Sequence, residues 1–329
     1  GKPLAHLGAN FDIIADAHVR EVIVGKDGKA KGVLFIDKTT GKEERVKGKA
    51  VVLAASSGET VRILLNSASG KGIANSSGLV GKYIMDTVGS DMSGQIPALE
   101  NLPAHNDDGA GGCHFYSPWW LYKEQKAGKM DFARGYHIEI SGTRGMPKGN
   151  NPVPGHVLQG LYGTELKEAA RRYYGSFIHI ACRGEMIPNE GSFAELDPEV
   201  KDKWGIPVMK WHWKWSDHEW NMAVHAQKTF AEIFESAGGK GLFDPKRDPK
   251  KTLLKGGQVI HEVGGAIMGA DSKKSVCNQW NQTWDIKNLL LCDGAPFASN
   301  ADKNPTETIM ALAWRAADRL IEQARKGNL

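Results

Sequence analysis

The stretch that decides the fold is NLLLCDG (residues 288–294), a short apolar run that ends in an acid and a glycine. A continuous apolar run of this length predicts a β-strand that is covered on both faces, as in a parallel sheet. Asp293 then stands at the carboxyl end of the strand, with Gly294 beyond it. Ligands of α/β proteins gather at this edge of the sheet, so we expect a binding site there.

A glycine-rich segment and a helix flank this strand in the sequence. The segment VIHEVGGAIMGAD (259–271) precedes it and carries His261. The segment KNPTETIMALAWRAADRLIEQA (303–324) follows it, and predicts a helix with Asn304 as N-cap and Pro305 as its first residue. Apolar residues at helical spacing predict one buried face of that helix, made of Ile309, Ala313, Ala316 and Leu320.

In this order, the three blocks resemble the C-terminal signature of the glucose–methanol–choline (GMC) oxidoreductases, flavoenzymes that oxidise alcohols and sugars. The matching features are the histidine with its glycine turn and "MG", the strand ending in Asp-Gly, and the "NPT" helix start. His261 and Asn304 lie 43 positions apart, as the family's catalytic pair does. The resemblance implies FAD as cofactor, His261 as the base and Asn304 as the residue that orients the substrate oxygen.

The chemistry of alcohol oxidation fits these residues. No protein side chain accepts hydride, so a cofactor must, and a histidine with a pKa near neutrality suits removal of the hydroxyl proton. A helix start favours negative charge, so the resemblance places the flavin N1/O2 edge at Pro305 and Thr306. It also places Asp293 and Gly294 along the ribityl and pyrophosphate chain.

The N-terminal quarter predicts a small antiparallel meander that leads into a buried strand, AVVLAA (50–55), and a short helix. This order also resembles the GMC enzymes, and it implies that Val19 lies beside the FAD adenine and Ala54 at the strand end nearest the nucleotide. The sequence departs from the family pattern at Ser56-Ser57-Gly58, at Lys82 in place of an arginine, and at Thr87, where a histidine is often found.

The middle of the chain predicts a different architecture. YHIEIS (136–141), HVLQGLYG (156–163) and SFIHIACRGEMI (176–187) alternate as antiparallel strands do. Trp211, Trp213 and Trp215 alternate too and predict a tryptophan ladder, either buried against helices or open to a sugar ring. Ser216 and Glu219 predict a capping box, and the helix that follows has a buried stripe of Ala223, Ala226, Phe230, Ile233 and Phe234.

Composition restricts the function further. The net charge of +4 over 329 residues, without a basic and aromatic cluster, argues against nucleic acid as a partner. No apolar run approaches the roughly 18 residues of a membrane helix, and no export signal is visible. The four cysteines lack metal-binding spacing and are expected to be reduced, although a Cys113–Cys182 disulfide stays open. No metal site is predicted.

We therefore expect an α/β protein, α+β overall. Residues 1–88 and 258–329 form parts of a Rossmann-like FAD-binding domain that is incomplete at its N-terminus, and 89–257 form an antiparallel-sheet substrate domain. The GxGxxG fingerprint of the pyrophosphate site is absent from the sequence, so a missing N-terminal portion or a companion chain is expected to supply it.

The resemblance is strongest to bacterial FAD-dependent sugar dehydrogenases of the glucoside 3-dehydrogenase and the gluconate or fructose dehydrogenase large-subunit type. It implies a sugar or other alcohol as substrate, possible partnership with a small subunit and a cytochrome c, and the bacterial periplasm, with the cytoplasm as the alternative location. Two other functions stay open, an oxidase that uses oxygen and a non-catalytic subunit.

Overall fold

The computed structural model describes residues 11–103, 114–142, 153–242 and 248–328. The strands are β1 (Ala17–Val24), β2 (Ala30–Asp37), β3 (Glu43–Lys47), β4 (Val51–Leu53), β5 (Val88–Gln95), β6 (Phe115–Ser117), β7 (Tyr136–Gly142), β8 (Phe177–Gly184), β9 (Phe193–Lys201), β10 (Pro207–His212), β11 (Lys240–Gly241) and β12 (Leu289–Leu291). The α-helices are α1 (Ser57–Asn66), α2 (Tyr122–Lys126), α3 (Gly155–Leu158), α4 (Gly163–Tyr173), α5 (Asp217–Ser236) and α6 (Thr306–Arg325).

The first core lies among the N-terminal meander, α1 and a parallel strand pair. β1, β2 and β3 form the predicted antiparallel sheet. β12 pairs in parallel with β4, and its three residues are all buried, which confirms the strand predicted from NLLLCDG. The prediction of a fully buried AVVLAA strand is wrong: β4 spans three residues, and Val52 on its outer face is 47% exposed because one side of the pair is uncovered.

The second core lies between α5 and a five-stranded antiparallel sheet with strand order β11-β5-β8-β7-β6. Phe230 and Phe234 of α5 are completely buried against this sheet. Cys182 is buried in the same core, whereas its possible disulfide partner Cys113 lies outside the described residues. The strand predicted over 156–163 is wrong, because α3 forms there after Pro154 and no neighbouring strand pairs with the segment.

The predicted tryptophan ladder does not form. β10 ends at His212, and Trp211, the single tryptophan of the three within the strand, is 45% exposed. Trp213 and Trp215 follow the end of the strand and pack around a third, small cluster of Met85, Met186 and Val263. The chain leaves a two-stranded sheet at this point, so the alternation of side chains continues in sequence but not in space.

The two long helices differ at their starts. The capping box predicted for α5 is confirmed, since the Ser216 amide donates to Glu219 Oε2 at 2.7 Å. The N-cap predicted for α6 is wrong: Pro305 occupies that position in helical backbone geometry, Asn304 lies one residue earlier, and no side chain caps the helix. Within the described ranges, no helix has the length and apolarity that a bilayer crossing needs.

Candidate active site

His261 lies in a loop that a buried carboxylate holds in place. Asp86 Oδ1 accepts hydrogen bonds from the backbone amides of His261 at 3.0 Å and Thr87 at 2.8 Å, and Oδ2 accepts from Gly257 at 3.0 Å. Asp86 is completely buried, and burial raises the pKa of its carboxyl although these amides oppose the shift. The carboxylate therefore joins the segment before β5 to both ends of the histidine loop.

One ring nitrogen of His261 contacts a side-chain hydroxyl, and the other has no hydrogen-bond partner among the described residues. Nδ1 lies 3.1 Å from the hydroxyl of Thr87, and no described residue hydrogen-bonds Nε2. Burial lowers the pKa of His261, and the positive charge of Arg183 lowers it further. A half-buried histidine with these neighbours stays neutral, and so able to accept a proton, at lower pH than a free one.

The backbone directly before His261 is in an unusual conformation. Ile260 has a φ of +62°, in the left-handed region that a β-branched residue rarely adopts, and its side chain is 78% exposed. Backbone outliers of this kind persist only where the surrounding structure imposes them, and they concentrate at functional sites. The Asp86 hydrogen bond to the next residue supplies that constraint.

Charged residues of the five-stranded sheet lie beside this histidine. His137, which is completely buried, lies 3.2 Å from Glu139 Oε1 through Nε2 and 3.5 Å from Asp302 Oδ2 through Nδ1. Glu139 Oε2 lies 3.6 Å from Arg183 Nη2. The charges of Arg183, Glu139 and His137 all act on the pKa of His261. Strands β7 and β8 therefore form a wall of the site.

The turn before α6 approaches the same wall. Asp302 contacts His137 of β7, and hydrogen bonds from His137 and Lys303 leave the pKa of Asp302 lowered although burial alone would raise it. Asn304 and Thr306 are exposed and Pro305 is partly buried. In the described residues, Asn304 and His261 do not hydrogen-bond each other, so the pairing predicted for them stays a prediction.

The carboxyl edge of the parallel strand pair lies next to the histidine loop. Asp293 is buried, and its carboxylate accepts hydrogen bonds from the Thr60 hydroxyl and the Ala295 amide, while burial raises its pKa. Gly294 O accepts from the Gly264 amide at 2.9 Å. A Cβ on Gly294 would lie 3.0 Å from Val263, so only glycine allows this approach. Asp293 thus anchors α1 and the strand end.

The other two predicted cofactor residues lie further along the first core. Ala54 follows β4 and is exposed at the same carboxyl edge as Asp293. Val19 lies in β1 opposite Phe35 and is partly buried against the first core. Both therefore lie on the side of the molecule that contains the parallel strands, away from the five-stranded sheet.

Four neighbours of His261 were absent from the residues singled out in the sequence: Asp86, His137, Glu139 and Arg183. Thr87 was noted there as a departure from the family pattern and not as a site residue. For two of the four, a sequence pattern was available: the alternation of YHIEIS places His137 and Glu139 on one face of β7, opposite to the apolar face. Asp86 and Arg183 come close only through folding, since more than 75 positions separate each from His261.

Comparison with known proteins identifies the family of this chain. The C-terminal model of the GMC oxidoreductase family matches residues 188–313, and its N-terminal model matches residues 4–91. The chain belongs to the GMC oxidoreductase family. FAD is the cofactor that this membership implies.

Individual relatives of this GMC oxidoreductase are about twice its length. The 2-methyl-1,2-propanediol dehydrogenase of Mycolicibacterium austroafricanum is 31% identical over 95% of this chain and 54% of its own. The fructose dehydrogenase large subunit of Gluconobacter japonicus is 29% identical over 98% of this chain and 55% of its own. A formate oxidase structure from Aspergillus oryzae shares the fold, with a TM-score of 0.68 and 14% identity over 99% of this chain and 63% of that one.

The described residues offer features that suit a large anionic cofactor. α1 and α6 both begin without a side-chain cap, so their first backbone amides are available to an anion. Asn300, in the turn before α6, is 1% exposed, and neither atom of its side-chain amide has a partner. A buried amide is rarely left unpaired, so a group outside the chain would complete its hydrogen bonds.

Proposed function

We propose that this chain is the catalytic part of an FAD-dependent dehydrogenase that oxidises a hydroxyl group of a sugar or another alcohol. The observation that carries the proposal is His261 in a GMC oxidoreductase, with a lowered pKa, Nδ1 held by Thr87, and no partner for Nε2 among the described residues. When bound, FAD supplies the hydride acceptor at flavin N5.

His261 serves as the general base. With its proton on Nδ1 and donated to the Thr87 hydroxyl, the ring presents an unprotonated Nε2 to the substrate hydroxyl. The lowered pKa keeps the ring neutral before the reaction. Thr87 therefore acts as a positioning residue that fixes the plane of the ring, and its hydroxyl accepts the Nδ1 proton in the reactive tautomer.

Asn304 orients the same hydroxyl oxygen through its side-chain amide, which is exposed at the start of α6. Pro305 and Thr306 bring the positive end of this uncapped helix to the flavin edge that becomes negative on reduction. We assign Asp293, Gly294, Ala54 and Val19 to the binding of the rest of the cofactor. In this assignment Asp293 contributes by fixing α1 and the strand end, because its carboxylate is already hydrogen-bonded within the chain.

The other half of the family's length would complete the cofactor site. α6 has a second apolar face in which Met310 is 66%, Trp314 73% and Ile321 49% exposed, and β4 is also open on one side. Exposed apolar faces of this kind normally have a cover. We propose that a longer form of the chain, or a companion chain, packs there and carries the phosphate-binding loop. In this proposal the chain contributes two parts of the FAD-binding domain, residues 1–88 and 258–329. Residues 89–257 form the substrate domain.

Replacing His261 tests the mechanism. His261→Ala should lower the rate of sugar-dependent dye reduction by on the order of 10²-fold or more, because general-base catalysis is worth that much, while bound flavin is retained. His212→Ala is the control, since that histidine stacks on Phe193 at 4.1 Å and is not among the groups that act on the pKa of His261, so its loss should leave the rate unchanged. Near-normal turnover by His261→Ala would remove His261 from the mechanism.

Two further readouts separate this function from its alternatives. Consumption of oxygen coupled to substrate oxidation would identify an oxidase, whereas turnover with a dye alone identifies a dehydrogenase. A preparation that stays colourless after FAD is added, even with the remaining half of the protein present, would show a non-catalytic subunit. The same assays with a cytochrome c as acceptor test the proposed partnership with such a protein.

A further inference from the structure

The five-stranded sheet has two chemically different faces. In β7, Tyr136 and Ile138 point toward α5, so His137 and Glu139 point to the opposite side. In β8, Arg183 lies directly opposite His137 in the register, on that same side. This polar face is next to the loop of His261. Thr87, whose hydroxyl lies 3.1 Å from His261 Nδ1, directly precedes β5, and Gly89 of β5 pairs with Arg183 of β8.

Glu139 and Arg183 have hydrogen-bonding capacity left on this face. A guanidinium has five N–H donors, and toward the described part of the chain Arg183 uses one of them, from Nη1 to Cys182 O at 2.9 Å. Its Nη2 lies 3.6 Å from Glu139 Oε2, which is an ion pair too long for a good hydrogen bond. The Arg183 side chain is 22% exposed and the Glu139 side chain is 11% exposed, so both are largely desolvated yet still accessible.

Among the described residues, acidic groups outnumber the fixed positive charges around the polar face. Glu139, Asp302 and Asp91, which is paired with Ala181 in the row of Glu139, face Arg183 and Lys303, and Lys303 forms an ion pair with Asp302. A substrate carboxylate near Arg183 would meet the charge of Glu139 at almost the same distance. A pair of neutral hydroxyl groups, by contrast, could donate to Glu139 and accept from Arg183 at the same time.

We propose that Glu139 and Arg183 together bind the non-reacting hydroxyl groups of a neutral polyol, and that this pair selects neutral substrates over anionic ones. The proposal rests on the proposed function, since it places these hydroxyls beside the His261 base. His137, held between Glu139 and Asp302, fixes the position of the Glu139 carboxylate. Glu139 and Arg183 of the sheet thus determine which substrates bind, and His261 of the loop removes the proton.

Substrates that share a skeleton and differ in charge test the selection. Methyl glucoside is compared with methyl glucuronide, and 1,2-propanediol with lactate, by steady-state kinetics of the FAD-loaded full-length protein. We expect the neutral member of each pair to have the lower KM. Glu139→Gln should raise the KM for the neutral substrates by roughly tenfold, as loss of a charged hydrogen-bond acceptor does. It should lower the KM for the anionic member of each pair, because the charge of Arg183 is then unopposed.

The pH profile gives a second readout that a merely structural role would not move. Arg183 lowers the pKa of His261 and Glu139 raises it, in a site that Glu262 and His137 also influence. Arg183→Gln should therefore shift the acid limb of kcat/KM to higher pH, and Glu139→Gln should shift it to lower pH. Arg183→Lys should restore the profile but only part of the affinity, since an ammonium lacks the guanidinium fork.

Matched controls use the same substitutions at exposed ion pairs elsewhere. Glu195→Gln, in the exposed pair with His212, and Arg172→Gln, in the exposed pair with Glu100, should change neither KM nor the pH profile. Unchanged kinetics and pH profiles in both Glu139→Gln and Arg183→Gln would overturn the proposal, as would a lower KM for the anionic members in the unsubstituted protein.

Binding measurements separate this proposal from the proposed function. Calorimetric titration of methyl glucoside and 1,2-propanediol into His261→Ala reports binding without turnover. Binding that weakens in His261→Ala/Glu139→Gln supports the subsite even if no substrate is oxidised. Turnover that depends on His261 but not on Glu139 or Arg183 would sink the subsite and leave the proposed function standing. Absence of both binding and turnover would overturn both.

Discussion

The two 20-residue helices, α5 and α6, are both amphipathic but differ in burial. α5 buries a stripe that includes Phe230 and Phe234, and the five-stranded sheet covers it. α6 has a single fully buried residue, Ala316, and exposes Trp314 over 73% of its surface. An amphipathic pattern therefore shows that a helix has a partner, and the fold alone shows whether the partner is in this chain.

The same contrast divides the molecule into two regions. α5 and its sheet form a two-layer unit with its own core, and the opposite face of that sheet carries the residues that we propose to bind substrate. α6, β4 and β12 belong to the region that we propose to bind the cofactor, and the chain spans about half the length of the curated relatives. The loop of His261 lies between these regions, tied by hydrogen bonds to β12's end through Gly294 and to Asp86 before β5.

The largest expected difference between the helices is in stability. Phe230→Ala should lower the free energy of unfolding by about 3–5 kcal/mol, because it leaves a cavity in a closed core. Trp314→Ala should change it by less than about 0.5 kcal/mol in this chain, because its side chain is solvated. Urea denaturation midpoints measure both effects. Equal losses would show that the exposed face of α6 is covered within this chain.

Hydrogen exchange should separate the two helices next. Buried amides of α5 should exchange roughly 100-fold more slowly than those of α6, since α6 can open without disrupting a core. Mass spectrometry of the 329-residue chain measures the protection of each helix. In a longer protein that includes the proposed cover, α6 should approach the protection of α5, and an unchanged α6 there would contradict the assignment of its outer face.

Substitutions at the N-termini of α5 and α6 should have a smaller effect on stability. Ser216→Ala should destabilise the chain by about 1 kcal/mol, because it removes half of a formed capping box. Asn304→Ala should leave stability almost unchanged, because Pro305 occupies the N-cap and Asn304 makes no capping bond. Thermal unfolding of both variants measures the contrast. A loss at Asn304 as large as that at Ser216 would show that its side chain caps α6 in solution.

The smallest effect concerns the loop that joins the two regions. Burial lowers the pKa of His261 below 6.5, so as pH falls through 6.5 the unfolded chain binds a proton that the folded chain does not. The contribution of this histidine to stability is therefore complete above 6.5 and is lost as the pH falls through the lowered pKa. Stability curves for the unsubstituted chain and His261→Gln should diverge in this acid range. Parallel curves would contradict a lowered pKa.

Local sequence patterns predicted the regular elements well where one physical factor was dominant. The antiparallel meander of β1 to β3, the apolar run of β12 and the capping box of α5 each depend on patterns over a few residues, and each formed as expected. Predictions that needed a neighbour were less reliable. The alternation over 156–163 and in the tryptophan segment had no strand to pair with, so α3 formed in one case and a bend away from the sheet in the other.

The sequence by itself determined the family through three blocks: the His261 loop, the Asp-Gly strand end and the "NPT" helix start. Each block is a local pattern, and the order and spacing of the blocks are visible along the chain. Only the tertiary structure brought Asp86, Thr87, Glu139 and Arg183 around that histidine, because strand pairing joins residues that no sequence period connects. It likewise revealed that the outer face of α6 is uncovered. A side chain's burial and pKa depend on what packs against it, and that partner is chosen by the whole fold.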